Sequence, residues 1–317
     1  YFNFDTWKNY VLKSNTHGDG ALYTTLEDQL HWETLLQTLK IAEPLKSLLQ
    51  KSQAPIADSD FPEYGYGLEF GTYRGLDYRY HAGSTGAAKA LVYRFPTEKI
   101  TIFMMTNSGK CWPPYTVEAI TEIVLGDHFT APKTNRTAPK EGVAVSTEDI
   151  LGTYRTSDGY YARIVQKKDG LQMERFGRRA IDVEKVGPHL TQQVDDPPFQ
   201  QTFTKTEGGE LEMTFYYPSH DPYSFTKVHS TVGEQDLKGI PGTYYNAETE
   251  VQVTFSFNKE GQLIGKSGQE KLSTELFEPN VLIMDGFRAE LIRNEAGMVT
   301  EMLLFDKRLA NLSFTRR

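Results

Sequence analysis

Tyr80-His81-Ala82-Gly83-Ser84-Thr85-Gly86 stands between stretches that alternate apolar and polar residues. Upstream, Tyr64-Gly65-Tyr66-Gly67-Leu68-Glu69-Phe70 alternates small and aromatic residues, and Tyr73-Arg74-Gly75-Leu76-Asp77 carries turn chemistry. This pattern predicts a β-hairpin of Tyr66 to Tyr73 and Leu76 to Gly83. Ala88 to Phe95 and Ile100 to Thr106 add two strands across Pro96-Thr97-Glu98-Lys99, so the region reads as an antiparallel meander with His81-Ala82-Gly83 near a strand end. Gly83 and Gly86 let a ligand lie close along that strand, and the backbone N–H of Ser84 can then aim at a developing oxyanion.

The triplet resembles the third active-site motif of the serine β-lactamase and penicillin-recognising hydrolases, which is Lys-Thr-Gly or, in the esterase and D-peptidase branches, His-x-Gly. His81-Ala82-Gly83 fits the second form, and Ser84-Thr85-Gly86 extends the match. Gly18-Asp19-Gly20 with Ala21 to Asp28 is similar to that family's glycine-containing turn and following helix, and Met105-Thr106-Asn107-Ser108 to the end of its next strand. These matches run in order through the first 127 residues. The resemblance implies catalytic roles for His81 and Ser84: an electrostatic and hydrogen-bonding group at His81, and an oxyanion donor at the Ser84 N–H. Ala82, Gly83, Thr85 and Gly86 would bind the substrate strand. Ala82 in place of threonine removes a donor for a substrate carboxylate, which turns the expectation from β-lactams toward esters and aminopeptidase-like substrates.

The family also requires a Ser-x-x-Lys at a helix start and a Tyr-x-Asn on a loop, both ahead of the glycine-containing turn. The nucleophile, its lysine and the tyrosine are therefore expected in an N-terminal half of the catalytic domain upstream of Tyr1, and this chain alone is expected to be inactive. His17, beside the turn, is read as a solvated histidine.

Two decoys lie downstream. Ser224-Phe225-Thr226-Lys227 matches Ser-x-x-Lys by letter, and Lys266-Ser267-Gly268 matches a variant third motif. Internal repetition explains the first. Leu151-Gly152-Thr153-Tyr154 recurs as Pro241-Gly242-Thr243-Tyr244, 90 residues on, and Tyr223-Ser224-Phe225-Thr226-Lys227 recurs as Leu312-Ser313-Phe314-Thr315-Arg316, 89 residues on. Two successive units thus share opening and closing segments, and Ser224 belongs to a terminal strand. In the second copy the lysine is Arg316, which cannot act as a base.

These repeats, 147–230 and 235–317, are rich in short alternating runs such as Leu211-Glu212-Met213-Thr214-Phe215 and Val251-Gln252-Val253-Thr254-Phe255. Turns such as Lys168-Asp169-Gly170 divide them, which predicts two small antiparallel barrels of about eight short strands each. The fold class is α+β: the C-terminal part of a β-lactamase/transpeptidase-like domain (1–127), a Pro- and Lys-containing linker (128–146) and two lipocalin-like barrels. This order is similar to that of bacterial D-aminopeptidases. In the first region Thr24-x-x-Glu27 predicts a capping box for a helix with Leu26, Leu30, Leu35, Leu36 and Leu39 on one face. A second helix is expected from Tyr115 to Leu125, with Val117, Ile120, Ile123 and Val124 inward.

Composition bounds the function. The chain has 317 residues, 38% hydrophobic and 24% charged, with a net charge of −8 and no basic run, which argues against a nucleic-acid partner. Cys111 is alone and no two histidines share metal-ligand spacing, so neither a metal nor an organic cofactor is implied. No apolar stretch approaches the roughly 20 residues that span a bilayer. The expected partners are a small-molecule or peptide substrate, the missing half of the catalytic domain and a homo-oligomer; a periplasmic or extracellular setting is expected, with a cytoplasmic one left open because the single cysteine does not fix the redox compartment. Within enzymes the choice among aminopeptidase, esterase and carboxypeptidase stays open. Outside them stands a non-catalytic binding or assembly protein that uses the barrels; barrel interiors filled by large side chains would oppose ligand storage.

Overall fold

The alternating runs of the first region become strands in the computed structural model, which describes residues 2–3, 6–7, 20, 22–59, 61–85, 88–108, 111, 113–176, 178–218, 220–229, 232–306 and 309–317. The chain divides into two units, Tyr1–Thr134 and Asn135–Arg317.

In the first unit β1 (Phe2–Asn3) and β2 (Thr6–Trp7) pair antiparallel, and α1 (Leu26–Thr38) and α2 (Leu45–Ser52) follow. A five-stranded antiparallel meander then runs in chain order: β3 (Tyr64–Gly65), β4 (Leu68–Tyr73), β5 (Leu76–Thr85), β6 (Ala88–Phe95) and β7 (Ile100–Thr106). After it come α3 (Pro113–Val124) and a 3-10 turn, Gly126–His128. Tyr66-Gly67 and Arg74-Gly75 have φ of 44°, 77°, 51° and 85°, the positive pair that a two-residue hairpin turn requires. Tyr66 is thus spent in a turn, and β4 opens at Leu68 and not at Tyr66.

Leu76, Leu91, Phe95 and Ile102 pack with Val117 and Leu125 on one face of the sheet. Tyr78, Tyr80 and Tyr93 extend this face as an aromatic ladder, Tyr80 and Tyr93 stacking at 5.0 Å. The other face carries Arg94 and Thr101, which meet Glu33 of α1.

Both helix expectations need correction. The N-cap of α1 is Thr25, whose hydroxyl accepts from the Asp28 N–H, so the capping pair lies one residue beyond Thr24 and Glu27. Leu26 and Leu30 are exposed, and the buried residue of α1 is Glu33. The helix docks through a paired charge, a feature invisible to a leucine count. In α3 the first residue is Pro113, and Val117 and Thr121 are buried whereas Ile123 and Val124 are exposed. Positions 117, 121 and 125 lie four apart and form the inward line.

The second unit holds both barrels. The first follows the single turn α4 (Thr147–Ile150) and comprises β8 (Gly152–Arg155), β9 (Tyr161–Lys167), β10 (Gly170–Arg175), β11 (Ile181–Lys185), β12 (Leu190–Gln193), β13 (Gln200–Lys205), β14 (Leu211–Tyr217) and β15 (His220–Lys227). It closes by pairing of β15 with β8. The second follows α5 (Glu234–Lys238) and comprises β16 (Gly242–Tyr245), β17 (Gln252–Phe257), β18 (Leu263–Ser267), β19 (Glu270–Leu272), β20 (Thr274–Glu278), β21 (Val281–Met284), β22 (Phe287–Arg293), β23 (Val299–Asp306) and β24 (Leu309–Arg316). Its nine strands, against the eight expected, form one sheet with β19 and β20 at its ends. The ladder breaks at the seam, where the Thr274 hydroxyl donates to the Leu263 carbonyl at 3.1 Å.

The repeat is structural. Tyr154 and Tyr244 are both fully buried, and their hydroxyls donate to the carbonyls of Ile150 and Ile240 at 2.8 and 2.7 Å, tying the short helical segment to each barrel end. Lys227 and Arg316 lie over those rings at 5.9 and 5.6 Å. At Gly242 a Cβ would stand 2.7 Å from the Arg316 guanidinium, which would have to shift to admit it. Arg155 and Tyr161 of the first barrel bind Glu278 of the second, and Phe176 packs on Phe277 at 4.0 Å between centroids.

Candidate functional site

Strand β5 pairs with β6 along its whole outer half: His81 faces Val92, Ala82 Leu91, Gly83 Ala90, Ser84 Lys89 and Thr85 Ala88. On its other flank the pairing with β4 ends at Tyr80, opposite Glu69. Among the described residues, 81–85 therefore have a strand on one side only. Ala82, Gly83, Ser84 and Thr85 are exposed and His81 is half-buried; Gly86 lies outside the described residues, as do His17, Gly18 and Asp19.

The register fixes which way the backbone groups of this edge point. The two-residue turn at Arg74-Gly75 makes Tyr73 and Leu76 a hydrogen-bonded pair, and alternation makes Gly71–Tyr78 and Glu69–Tyr80 the next two. The Phe70 N–H donating to the Glu63 carbonyl at 2.8 Å, on the opposite side of β4, has the same phase. Tyr80, Ala82 and Ser84 thus direct N–H and C=O toward the β4 side, and His81, Gly83 and Thr85 direct theirs toward β6. Beyond Tyr80 the β4 side of β5 has no strand paired to it among the described residues. The structure thus brings the Ser84 N–H and the Ala82 backbone to one edge, the geometry that adds an extended peptide as a further strand.

Side chains divide the same residues differently. His81, Gly83 and Thr85 share the face that carries Arg79 and Arg94, whereas Ala82 and Ser84 share the aromatic face with Tyr78 and Tyr80. His81 and Ser84 cannot line one pocket with their side chains, so the edge joins them only through the main chain of Ser84. Arg79, two residues before His81 on its face, is a group that motif reading missed. Burial lowers its pKa first and the neighbouring Arg94 charge second. Period-two alternation back from His81 is the signal that would have found it.

Three tyrosine and lysine contacts hold the region. The Tyr80 hydroxyl donates to the Glu69 carboxylate across the last β4–β5 rung. Lys89, opposite Ser84, donates to the Cys111 carbonyl at 2.6 Å, linking β6 to the segment after β7. Tyr93, half-buried against Tyr78 and Tyr80, has its phenol pKa pushed far up by desolvation and then by those neighbours, so it stays neutral.

The decoys sit in structural roles. Ser224 is exposed on β15, where its hydroxyl meets that of Thr214 at 2.8 Å and the Glu212 carboxylate at 3.2 Å. Lys227 is engaged by the Asp149 carbonyl. Ser267 ends β18 and Gly268 takes a positive φ in the turn to β19. Among the described residues no cluster of His, Cys, Asp and Glu is able to hold a metal ion, and no helix is long and apolar enough to cross a membrane. His189 is buried with its Nε2 3.1 Å from the Pro139 carbonyl. The first barrel is filled by Tyr154, Ile164, Met173, Phe203, Met213 and Phe215, all at most 2% exposed, so its interior has no room to store a ligand.

No family model matches the chain, and no curated protein matches it. Among solved structures it is similar to SurE with D-Leu, at 16% identity over 57% of this chain and 43% of that one, with a TM-score of 0.32. It is also similar to the octameric penicillin-binding protein homologue from Pyrococcus abyssi, at 18% identity over 64% and 47%, with a TM-score of 0.30. The chain spans less than half the length of these structures, and likeness at this level decides neither fold nor function.

Proposed function

We propose that this chain supplies the substrate-strand wall of a serine hydrolase that acts through an acyl-enzyme on amides or esters, D-amino-acid peptides and amides foremost. The observation that carries the reading is the strand 81–85, where pairing with β6 continues after pairing with β4 has ended at Tyr80, and where hairpin phase turns the Ala82 and Ser84 main chain toward the β4 side. An extended substrate laid there would pair with the Ala82 main chain, and the Ser84 N–H would stabilise the oxyanion of the tetrahedral intermediate. One such donor is worth roughly 100- to 1,000-fold in rate. Gly83 puts no side chain in the way, since a Cβ built on it meets nothing within 4 Å. His81 would hold the polar end of the substrate by hydrogen bonding. The attacking serine, its lysine and the tyrosine would come from a segment outside these 317 residues.

The test is to express the reading frame extended upstream of Tyr1 and assay D-alanyl p-nitroanilide and p-nitrophenyl esters. Hydrolysis that disappears when the serine of an upstream Ser-x-x-Lys is changed to alanine supports the proposal. An upstream frame with no Ser-x-x-Lys at a helix start defeats it.

A further inference from the structure

The two barrels share a register, and comparing them position by position isolates what the fold does not require. Inward residues of β10 alternate through Leu171, Met173 and Arg175, and Arg175 stands opposite Ala162, which stands opposite Tyr154. In the second barrel Tyr244 stands opposite Val253, and the Thr254–Lys266 rung carried one residue on puts Ser267 opposite Val253. Arg175 and Ser267 are therefore equivalent. By the closing repeat Tyr223 and Leu312 are equivalent as well. The same architecture closes with a small neutral residue and a leucine, so Arg175 and Tyr223 in the first barrel answer to something else.

They sit at the end of the first barrel opposite α4. The Arg175 guanidinium lies 5.8 Å from the Phe199 ring, and an aromatic rim continues through Phe199–Tyr217 at 5.6 Å, Tyr217–His220 at 5.7 Å and His220–Tyr223 at 5.3 Å. Arg178 lies one turn on, its N–H bonded to the Arg175 carbonyl at 3.0 Å. Among the described residues neither arginine forms an ion pair. The Arg175 Nη2 donates to the Arg179 carbonyl at 3.0 Å, and its buried Nε has no acceptor. Of the nearby carboxylates, Asp196 accepts from the Tyr217 hydroxyl at 2.9 Å, and Asp195, which accepts from Gln193 at 2.6 Å, acts on Arg175 through its charge without a direct ion pair. A half-buried cation with an unsatisfied donor carries a desolvation cost that the Asp195 charge offsets only in part, and an anion beside the guanidinium would offset more of it. Burial is also the first cause, and Arg178 the second, of a lowered Arg175 pKa.

We propose that this rim binds a small organic carboxylate with an apolar body. Arg175 takes the carboxylate, with Arg178 adding charge, and Phe199, Tyr217, His220 and Tyr223 cover the body. Because the barrel below is filled, the ligand sits at the mouth and not inside, and the carboxylate is the part that selects it. The inference does not depend on the hydrolase reading.

The test is calorimetric titration of the full chain with 2-naphthoate, alongside its neutral isostere 2-naphthamide. Arg175→Ser and Tyr223→Leu install classes of residue that the second barrel already carries, so both are expected to fold. Saturable one-to-one binding of naphthoate, weakened about tenfold or more by Arg175→Ser, matching loss of a charge-assisted hydrogen bond, and absent for naphthamide, supports the site. Ligand-free Arg175→Ser should melt no lower than the parent chain. Absence of saturable naphthoate binding at millimolar ligand, equal binding of naphthamide, or unchanged affinity in Arg175→Ser overturns it. If Arg175→Ser fails to fold, Tyr223→Leu decides alone: weakened binding supports the site and undiminished binding overturns it.

Discussion

Glu69 accepts the Tyr80 hydroxyl across the rung where pairing of β4 with β5 stops. The contact holds the two strands together at the rung where, among the described residues, β5 goes on paired with β6 alone. A hydrogen bond to a charged group contributes about 1.5–3 kcal/mol. Tyr80→Phe should lower stability by that order in chemical denaturation, and amide exchange should rise first at residues 81–85.

Glu33 and Arg94 form a two-pronged pair at 2.7 Å on each prong, with side chains 8% and 12% exposed. Gln29 and Thr101 complete the carboxylate's partners. Removing one member leaves a buried charge, which costs about 3–5 kcal/mol. Glu33→Ala or Arg94→Ala alone should therefore destabilise the first unit strongly. The paired replacement Glu33→Leu with Arg94→Met should be much milder than the sum, as a double-mutant cycle would measure.

Glu122 gives the first unit an acid limb. Burial alone would raise its pKa, but hydrogen bonds from Tyr73 and Lys133 and the Arg74 charge hold it below the ordinary glutamate value. A carboxyl depressed in the folded state adds stability above its unfolded pKa, about 4.3, and loses it as pH falls through the lower folded value. Glu122→Gln should flatten this part of the stability curve in melts between neutral and acid pH. Because the side chain is a quarter exposed, the effect should stay below about 1 kcal/mol.

Tyr154 and Tyr244 offer a paired comparison. Each hydroxyl satisfies a carbonyl of the segment that leads into its barrel, and Tyr244 also accepts from Arg316 at 3.1 Å. Tyr154→Phe should cost about 1–2 kcal/mol. Tyr244→Phe should cost more, because an arginine donor loses its acceptor as well. Separate unfolding of each variant, followed by denaturant titration, measures the difference.

Much of this architecture was legible in the chain. Strands 88–95 and 100–106 follow directly from period-two alternation, and the offset repeats announced two barrels with shared ends. The helices were less legible because their faces are not set by leucines: α1 docks through Glu33, and whether a glutamate is buried depends on Arg94, 61 residues away. The His81-Ala82-Gly83 motif located a strand end. That the pairing of β4 with β5 ends at Tyr80, and that Ser84 turns its N–H away from β6, follows from strand register and hairpin phase and could not be read from the motif. Arg175 was hidden for the same reason, since only pairing shows that Ser267 stands in its place.

The decisive measurement compares Ser84→Ala with Ser84→Pro in the protein extended upstream of Tyr1, using kcat/KM for D-alanyl p-nitroanilide. The Ser84 N–H lies outside the β5–β6 ladder, so proline there leaves that pairing intact while deleting the donor. Loss of about 100- to 1,000-fold in Ser84→Pro, with Ser84→Ala within a few-fold of the parent, is the outcome expected of a main-chain oxyanion donor. Equal activity in the two variants would contradict it.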